Sequence, residues 1–347
     1  MKIQIGNKFI GEGEPVFFIA EVSANHAQDL DIAIKSIKVA KEIGVDAIKF
    51  QTYTPDSLTI KCDNEYFMLK DTIWSGQTLY DLYSKAYTPY EWFPKLFEVA
   101  TEEGIIIFST PFDKYSVDLL EQLNAPAYKI ASYEITDIPF IKYVASKNKP
   151  IFISTGIATL AEIYEAIKAC KEVGNNKIIL MKCTSIYPAP IEETNLLTIP
   201  NMIETFQTIV GLSDHTLGYY VPLGAICLGA KVIEKHFILD KSISSPDASF
   251  SLSPNEFKEM INASRIIEKA LGKVNYELSE RIISSRKNSR SLFVVKDVKK
   301  GEEINEENVR SIRPGFGLPP KYFDIIKRRK FKVDVKKGTP LTWDLID

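Results

Sequence analysis

The sequence predicts an α/β fold: a TIM-type (β/α)8 barrel followed by a small β-rich C-terminal domain. Eight short apolar runs rich in Val and Ile alternate with longer amphipathic stretches up to about residue 272, as expected of strands each followed by a helix around one parallel sheet. The chain has 347 residues, more than the roughly 250 of a bare barrel, which leaves room for an appendage. From Ser291 the pattern changes to short strands and turns, with KDVKKGEEI and VDVKKGTPL resembling each other. These observations divide the chain into a barrel at 1–275, a charged linker at 276–289 and a β-rich domain at 290–347.

The predicted strands are 15–22 (PVFFIAEV), 45–51 (VDAIKFQ), 104–110 (GIIIFST), 126–132 (PAYKIAS), 150–155 (PIFIST), 177–183 (KIILMKC), 208–213 (TIVGLS) and 230–236 (AKVIEKH). The first helix starts near Asp29, follows an i, i+3, i+4 pattern through Ile34, Ile37 and Ile43, and stops at Gly44. Another runs from Pro89 to Glu103, with Thr88 as expected N-cap, Glu91 completing a capping box and Gly104 as the stop. The connection 52–88 is long and aromatic-rich. Loops of that length inside compact domains usually serve function, so it is expected to act as a lid over the active-site face. The barrel pattern ends with a helix near 254–272, and VNYELSERIISSRKNSR (274–290) lacks a strand pattern.

Hydrophobic residues make up 45% of the chain and charged residues 25%, the balance of a globular protein with a sizeable core. The net charge of −2 argues against nucleic acid as a partner, and the basic run Lys327–Lys330 is expected to be a solvated face. No apolar run exceeds strand length and no signal-peptide core precedes the first strand, so neither membrane insertion nor secretion is expected. Cys62, Cys170, Cys183 and Cys227 form no C-x-x-C pair, which points to free thiols in a reducing cytoplasm.

Barrel chemistry is carried at the C-terminal ends of strands, and here those ends are polar throughout. Lys49, Lys129 and Lys182 each interrupt an apolar strand. An unpaired buried ammonium costs several kcal/mol or shifts its pKa, so such lysines either pair with strand carboxylates such as Glu21, Glu134 and Glu234 or line a pocket for a small, multiply charged anion. Thr110, Ser132, Ser154, Ser185 and Ser213 would add the donors that a phosphate needs. The chain has three histidines. His215 and His236 close the seventh and eighth strands, each beside a carboxylate (Asp214, Glu234). Neighbouring strands lie roughly 4.8 Å apart, so two imidazoles at matching levels can reach one cation and leave its other positions open to substrate and water. His26, just before a helix, is expected to serve a turn or to support the site from behind.

EVSANH (21–26), AIKFQTY (47–53), FSTPFD (108–113), YKIASYE (128–134), ISTGIAT (153–159), KCTSIYPAP (182–190), GLSDHTLG (211–218) and VIEKHFILDKSISSPDASFSL (232–252) together resemble the sialic acid synthase family. The resemblance continues into RSLFVVKDVKKGE and VRSIRPGFGL, which look like the antifreeze-like (SAF) module of those synthases. QTYTPDSL (51–58) and AYTPYEWF (86–93) are more similar to the pseudaminic acid branch than to the N-acetylneuraminate branch. The resemblance implies condensation of phosphoenolpyruvate with the open-chain aldehyde of an N-acetylated hexose, here a 2,4-diacetamido-2,4,6-trideoxy sugar, with release of phosphate. It implies phosphoenolpyruvate contacts from Lys49, Thr110, Lys129, Ser132, Ser154, Ser185 and Ser213, although the family most often has Asn where this chain has Ser185. Gln51, Tyr187, Asp247 and Glu134 resemble residues that contact sugar or handle protons, with Glu134 a candidate to deprotonate the attacking water. Lys182 and Glu234 join the substrate-binding set, and Glu134, Lys129, His215 and His236 form the catalytic set. His215 and His236 resemble ligands of a divalent metal, Mn²⁺ or Mg²⁺. The resemblance also implies a domain-swapped homodimer in which Arg313 of one chain contacts the N-acetyl group of a sugar in its partner's barrel.

Alternatives from the residues alone are a metal-dependent sugar isomerase or aldolase, which needs no lysine-lined anion pocket, and a carbohydrate-binding protein with an inactive barrel. Within the synthase class, N-acetylneuraminate and legionaminate are the alternative products.

Overall fold

The computed structural model describes residues 1–347. It opens with a hairpin, β1 (Lys2–Ile5) and β2 (Lys8–Gly11), turned at Gly6, whose φ of +56° suits glycine. Eight parallel strands then close a barrel: β3 (Phe17–Glu21), β4 (Ala47–Thr52), β5 (Ile106–Pro111), β6 (Tyr128–Ile130), β7 (Ile151–Ser154), β8 (Ile178–Cys183), β9 (Ile209–Asp214) and β10 (Val232–His236), with β10 pairing back onto β3. All eight lie within or within one residue of the predicted runs.

The helices are α1 (Leu30–Glu42), α2 (Pro55–Leu58), α3 (Leu79–Ala86), α4 (Phe93–Glu103), α5 (Lys114–Gln122), α6 (Ile138–Ala145), α7 (Leu160–Glu172), α8 (Thr198–Phe206), α9 (Tyr220–Cys227) and α10 (Pro254–Leu271). Local chemistry explains their starts. Asp29 accepts from the N–H groups of Asp31 and Ile32 at the head of α1, and Thr159–Glu162 and Ser253–Glu256 form capping boxes on α7 and α10. The expected cap at Thr88 is not made. A 3-10 turn (Tyr90–Trp92) precedes α4, and the buried Thr88 hydroxyl instead meets His26 Nε2 at 3.1 Å. Gly104 does end α4, in the left-handed region at φ +66°.

Strand parity sorts the side chains into two layers. One set, including Phe18, Ala20, Ile48, Phe50, Ile130, Ile153, Leu180 and Leu212, packs outward with the helices. The other fills the lower barrel: Phe17, Ile19, Ala47, Ile106, Phe108, Phe152, Ile179, Met181, Ile209 and Val232. Ile3, Ile5 and Ile10 of the hairpin join this inner cluster, so the hairpin plugs the end of the barrel opposite the C-terminal strand ends. The sequence reading did not anticipate this plug.

The chain divides into two compact units, Met1–Gly272 and Lys273–Asp347. The second begins with exposed residues that include α11 (Glu280–Ser285) and a 3-10 turn (Arg286–Asn288), where no regular structure had been expected. β11 (Ser291–Val294) and β12 (Val309–Ile312) then pair antiparallel, and α12 (Phe323–Ile326) follows. A separate core of Leu292, Val294, Ile304, Val309, Ile326, Phe331, Leu341 and Ile346 holds this unit together. No helix is long and apolar enough to cross a membrane.

Candidate active site

Above the apolar layers, the inward residues become polar. Lys49, Gln51, Thr110, Lys129, Ser154, Ser213 and Glu234 line one cavity with Glu21, Ser132, Cys183, Tyr187, His215 and His236. Eleven of the sixteen predicted site residues therefore meet at one place: the first six named, Glu234, Ser132, Tyr187 and the two histidines.

The charges there are balanced. Lys49 Nζ lies 2.5 Å from Glu21 Oε2 and 3.6 Å from Glu234, and Lys129 Nζ donates to both Glu234 oxygens at 2.9 and 3.0 Å. Lys49 also donates to Thr110 Oγ1 at 2.9 Å. Burial alone would lower the Lys49 pKa, yet Glu21 and Glu234 outweigh it and the net shift is upward. Burial likewise works to raise the Glu234 pKa, but Lys129 and Lys49 bring it down to about 2, so the carboxylate stays ionised. The two lysines are thus paired and at the same time face the cavity, joining both readings that their positions allowed. Glu21 is a main partner that the sequence reading left out of the site; its odd-numbered parity with Phe17 and Ile19 was the available signal.

Lys182 corrects the expectation of a three-lysine pocket. On β8 the inward residues are Ile179, Met181 and Cys183, so Lys182 faces out of the barrel. Its Nζ donates to the Cys183 carbonyl at 2.8 Å, and burial lowers its pKa. Ser185, two residues past the end of β8, turns its hydroxyl back to 3.7 Å from Cys183 Sγ. Across from it, the Gly156 N–H donates to Ser132 Oγ at 3.1 Å, and a Cβ on Gly156 would come within 2.1 Å of Ser185 Oγ and 2.8 Å of Ser132 Oγ. Gly156 is thus another residue that the sequence reading missed: a bare backbone where hydroxyls converge.

His215 and His236 lie with ring centroids 5.4 Å apart. His215 Nδ1 is 2.9 Å from the Thr184 carbonyl, an acceptor, so Nδ1 carries the proton and Nε2 keeps its lone pair. His236 Nδ1 faces the buried Asp247 carboxylate at 3.5 Å and makes no hydrogen bond. A proton on Nδ1 would face this carboxylate and leave Nε2 its lone pair, the order of groups in carboxylate–histidine–metal arrangements. The donor set therefore fits a divalent cation held by two imidazoles. His26 is different: its Nδ1 accepts from the Gln28 N–H, and burial brings its pKa down to about 4, so it is a neutral structural residue beside Trp92.

Glu134 ends the 3-10 turn after β6, with Oε2 buried and unpartnered. Burial pushes its carboxyl up to about 7. Asp247, ahead of a 3-10 turn at Ala248–Phe250, reaches the site through His236. Arg313 lies in the second unit, exposed and without an ion pair, directly after β12. The segment 53–88 brings Trp74 to Pro246, where its Nε1 donates to the carbonyl at 3.1 Å, and to Tyr187, at a ring distance of 5.6 Å. This contact sets it against the barrel mouth.

Among known proteins, the pseudaminic acid synthase of Campylobacter jejuni is 49% identical over 98% of both chains. The pseudaminic acid synthase of Helicobacter pylori is 44% identical, covering 96% of this chain and 98% of that protein. The N,N'-diacetyllegionaminic acid synthase of Legionella pneumophila is 36% identical over 99% and 98%. Among solved structures, the spore coat polysaccharide biosynthesis protein spsE of Bacillus subtilis superposes with a TM-score of 0.69 and 34% identity, covering 100% of this chain and 99% of that one. Residues 36–276 match the NeuB family and residues 289–347 the SAF domain, so the chain belongs to the NeuB family and carries a C-terminal SAF domain.

Proposed function

We propose that this chain is a pseudaminic acid synthase, condensing phosphoenolpyruvate with 2,4-diacetamido-2,4,6-trideoxy-altrose to give pseudaminic acid and phosphate. The observation that carries this reading is near full-length identity of 49% and 44% to two synthases of that name, against 36% and, over 86% of this chain, 39% to two legionaminic acid synthases.

The barrel mouth supports the reaction class. Lys49 and Lys129 receive the carboxylate and phosphate of phosphoenolpyruvate, with Thr110, Ser132, Ser154, Ser185 and Ser213 as further donors and the Gly156 N–H holding the Ser132 hydroxyl in place. C3 of the enol attacks the acceptor's aldehyde carbon. Water then adds at C2, the C2–O bond to phosphate breaks, and the oxygen leaves with the phosphate. Glu134, with its carboxyl near 7, is suited to take the proton of that water. His215 and His236 would hold the divalent metal through Nε2, with Thr184 and Asp247 orienting the rings. The chemistry that such an ion, Mn²⁺ or Mg²⁺, would supply there is Lewis-acid polarisation of the acceptor's carbonyl. Gln51, which donates to Glu21 and Ser23 at 3.0 Å, faces the sugar together with Tyr187 and Asp247.

The working unit is a homodimer in the cytoplasm, in which Arg313 of one chain completes the sugar site of its partner. An unpaired exposed Arg313 and four free cysteines support this part of the proposal. The test is incubation with phosphoenolpyruvate and a panel of N-acetylated hexoses, followed by mass analysis of the products. The diacetamido trideoxy sugar should show much the higher kcat/KM, because a site that contacts polar groups discriminates strongly against their absence, whereas a spare methyl changes the ratio by only about 1–3 kcal/mol. Equal or better turnover of N-acetylmannosamine overturns the assignment.

A further inference from the structure

Between α2 and α3 a Met68–Thr78 bridge closes a loop, and Trp74 lies near the middle of it. Trp74 makes two contacts with the mouth. Its Nε1 donates to the Pro246 carbonyl at 3.1 Å, and its ring packs against Tyr187. The Pro246 loop is a fixed anchor. Ser245 Oγ donates to Asn25 at 2.7 Å, and Ser251 Oγ donates to the Asp247 carbonyl at 2.7 Å.

Tyr187 is held by packing, since its hydroxyl takes part in none of the hydrogen bonds described for the site. Its ring lies 4.3 Å from His215, 5.6 Å from Phe250 and 5.6 Å from Trp74. The first two come from the barrel and its loops, and only Trp74 comes from the 53–88 segment. Tyr187 also borders two cavities: the charged one inside the barrel, and a larger, more apolar groove against Met68, Leu69, Ile73 and Gly76.

We propose that Trp74 is a positioning residue for the acceptor, fastening the 68–76 loop to the Pro246 anchor and pressing Tyr187 over His215, so that the sugar meets a formed wall. This rests on the synthase reading above. Lys49, Thr110, Lys129, Ser154 and Ser213, the strand-borne groups assigned to phosphoenolpyruvate, lie on β4, β5, β6, β7 and β9, away from Pro246 and Tyr187 where Trp74 makes its contacts, so its loss should separate the two substrates.

The test uses the full-length chain with Trp74→Ala and Trp74→Phe. Trp74→Ala should raise the acceptor KM by about tenfold, the scale of one lost hydrogen bond with its packing, while direct phosphoenolpyruvate binding stays within about twofold. Tryptic cleavage after the exposed Lys70 should accelerate in parallel. Trp74→Phe keeps a ring against Tyr187 but loses the N–H, so it should fall between wild type and Trp74→Ala in both readouts. Unchanged cleavage and acceptor KM in Trp74→Ala overturn the proposal, as does an equal loss of affinity for both substrates. A wild type that turns over no acceptor sinks the synthase reading instead, and the cleavage rates still decide the role of Trp74.

Discussion

Glu134 combines a buried, unpartnered oxygen with a carboxyl held near 7 against an ordinary value of 4.5. Between those values the folded state binds the proton more tightly than the unfolded chain, so this group's contribution to stability falls as pH rises, and the cost is complete above 7. Glu134→Gln cannot ionise. It should raise Tm by about 2–4 °C at pH 8 and have little effect at pH 4.5, measured by thermal melts across pH. It should also remove the ascending limb near pH 7 from the kcat profile. A limb that survives in the variant assigns the proton transfer to another group. At this scale the sequence revealed residue types but not directions. Lys182 and Cys183 are successive residues of β8, so only one of them can face inward, because odd and even positions point to opposite faces. Cys183 takes the inward place with Ile179 and Met181, and Lys182 does not. Glu21 was readable by the same parity, whereas the opening at Gly156 depends on three strand ends converging, which no single segment encodes.

The elements that were easiest to read are those buried on both sides. β3 to β10 are short continuous apolar runs because helices cover one face and the barrel interior the other. The hairpin β1–β2 escaped notice because its strands have four residues each, and only β1 alternates buried and exposed side chains while β2 exposes Lys8 and Phe9 in succession, so they resemble a loose leader. The α4 start was misplaced because Thr88 has a tertiary partner, His26, that competes with capping. The hairpin's role in the barrel floor leads to a prediction. Ile5 is fully buried in the inner cluster, so Ile5→Ala should cost about 2–5 kcal/mol in denaturant unfolding. The catalytic end of the barrel is the opposite one, so kcat of the folded fraction should stay within about twofold of wild type. An unfolding midpoint equal to that of wild type would show that the hairpin does not brace the floor.

As a whole, the molecule is two separately cored units, and the dimer proposal makes the second serve a neighbouring chain. Mixing Arg313→Ala with His236→Ala tests it. Random exchange gives about half hybrid dimers, each with one barrel that keeps His236 and faces a domain that keeps Arg313, so activity should recover to about a quarter of wild type. No recovery after verified exchange means that Arg313 acts within its own chain or not at all. The balanced charges in the barrel bear on how such an enzyme fares in a cell. Chloride and orthophosphate are abundant, and a row of bare ammonium groups would hold them continuously. Because Glu21 and Glu234 already occupy Lys49 and Lys129, a stray small anion gains little by entering. It would have to compete with a carboxylate that is buried and correctly placed. A ligand that bears two separated anionic groups and reaches the surrounding hydroxyls at once can offset that competition, so the pairing favours such a ligand over a stray ion.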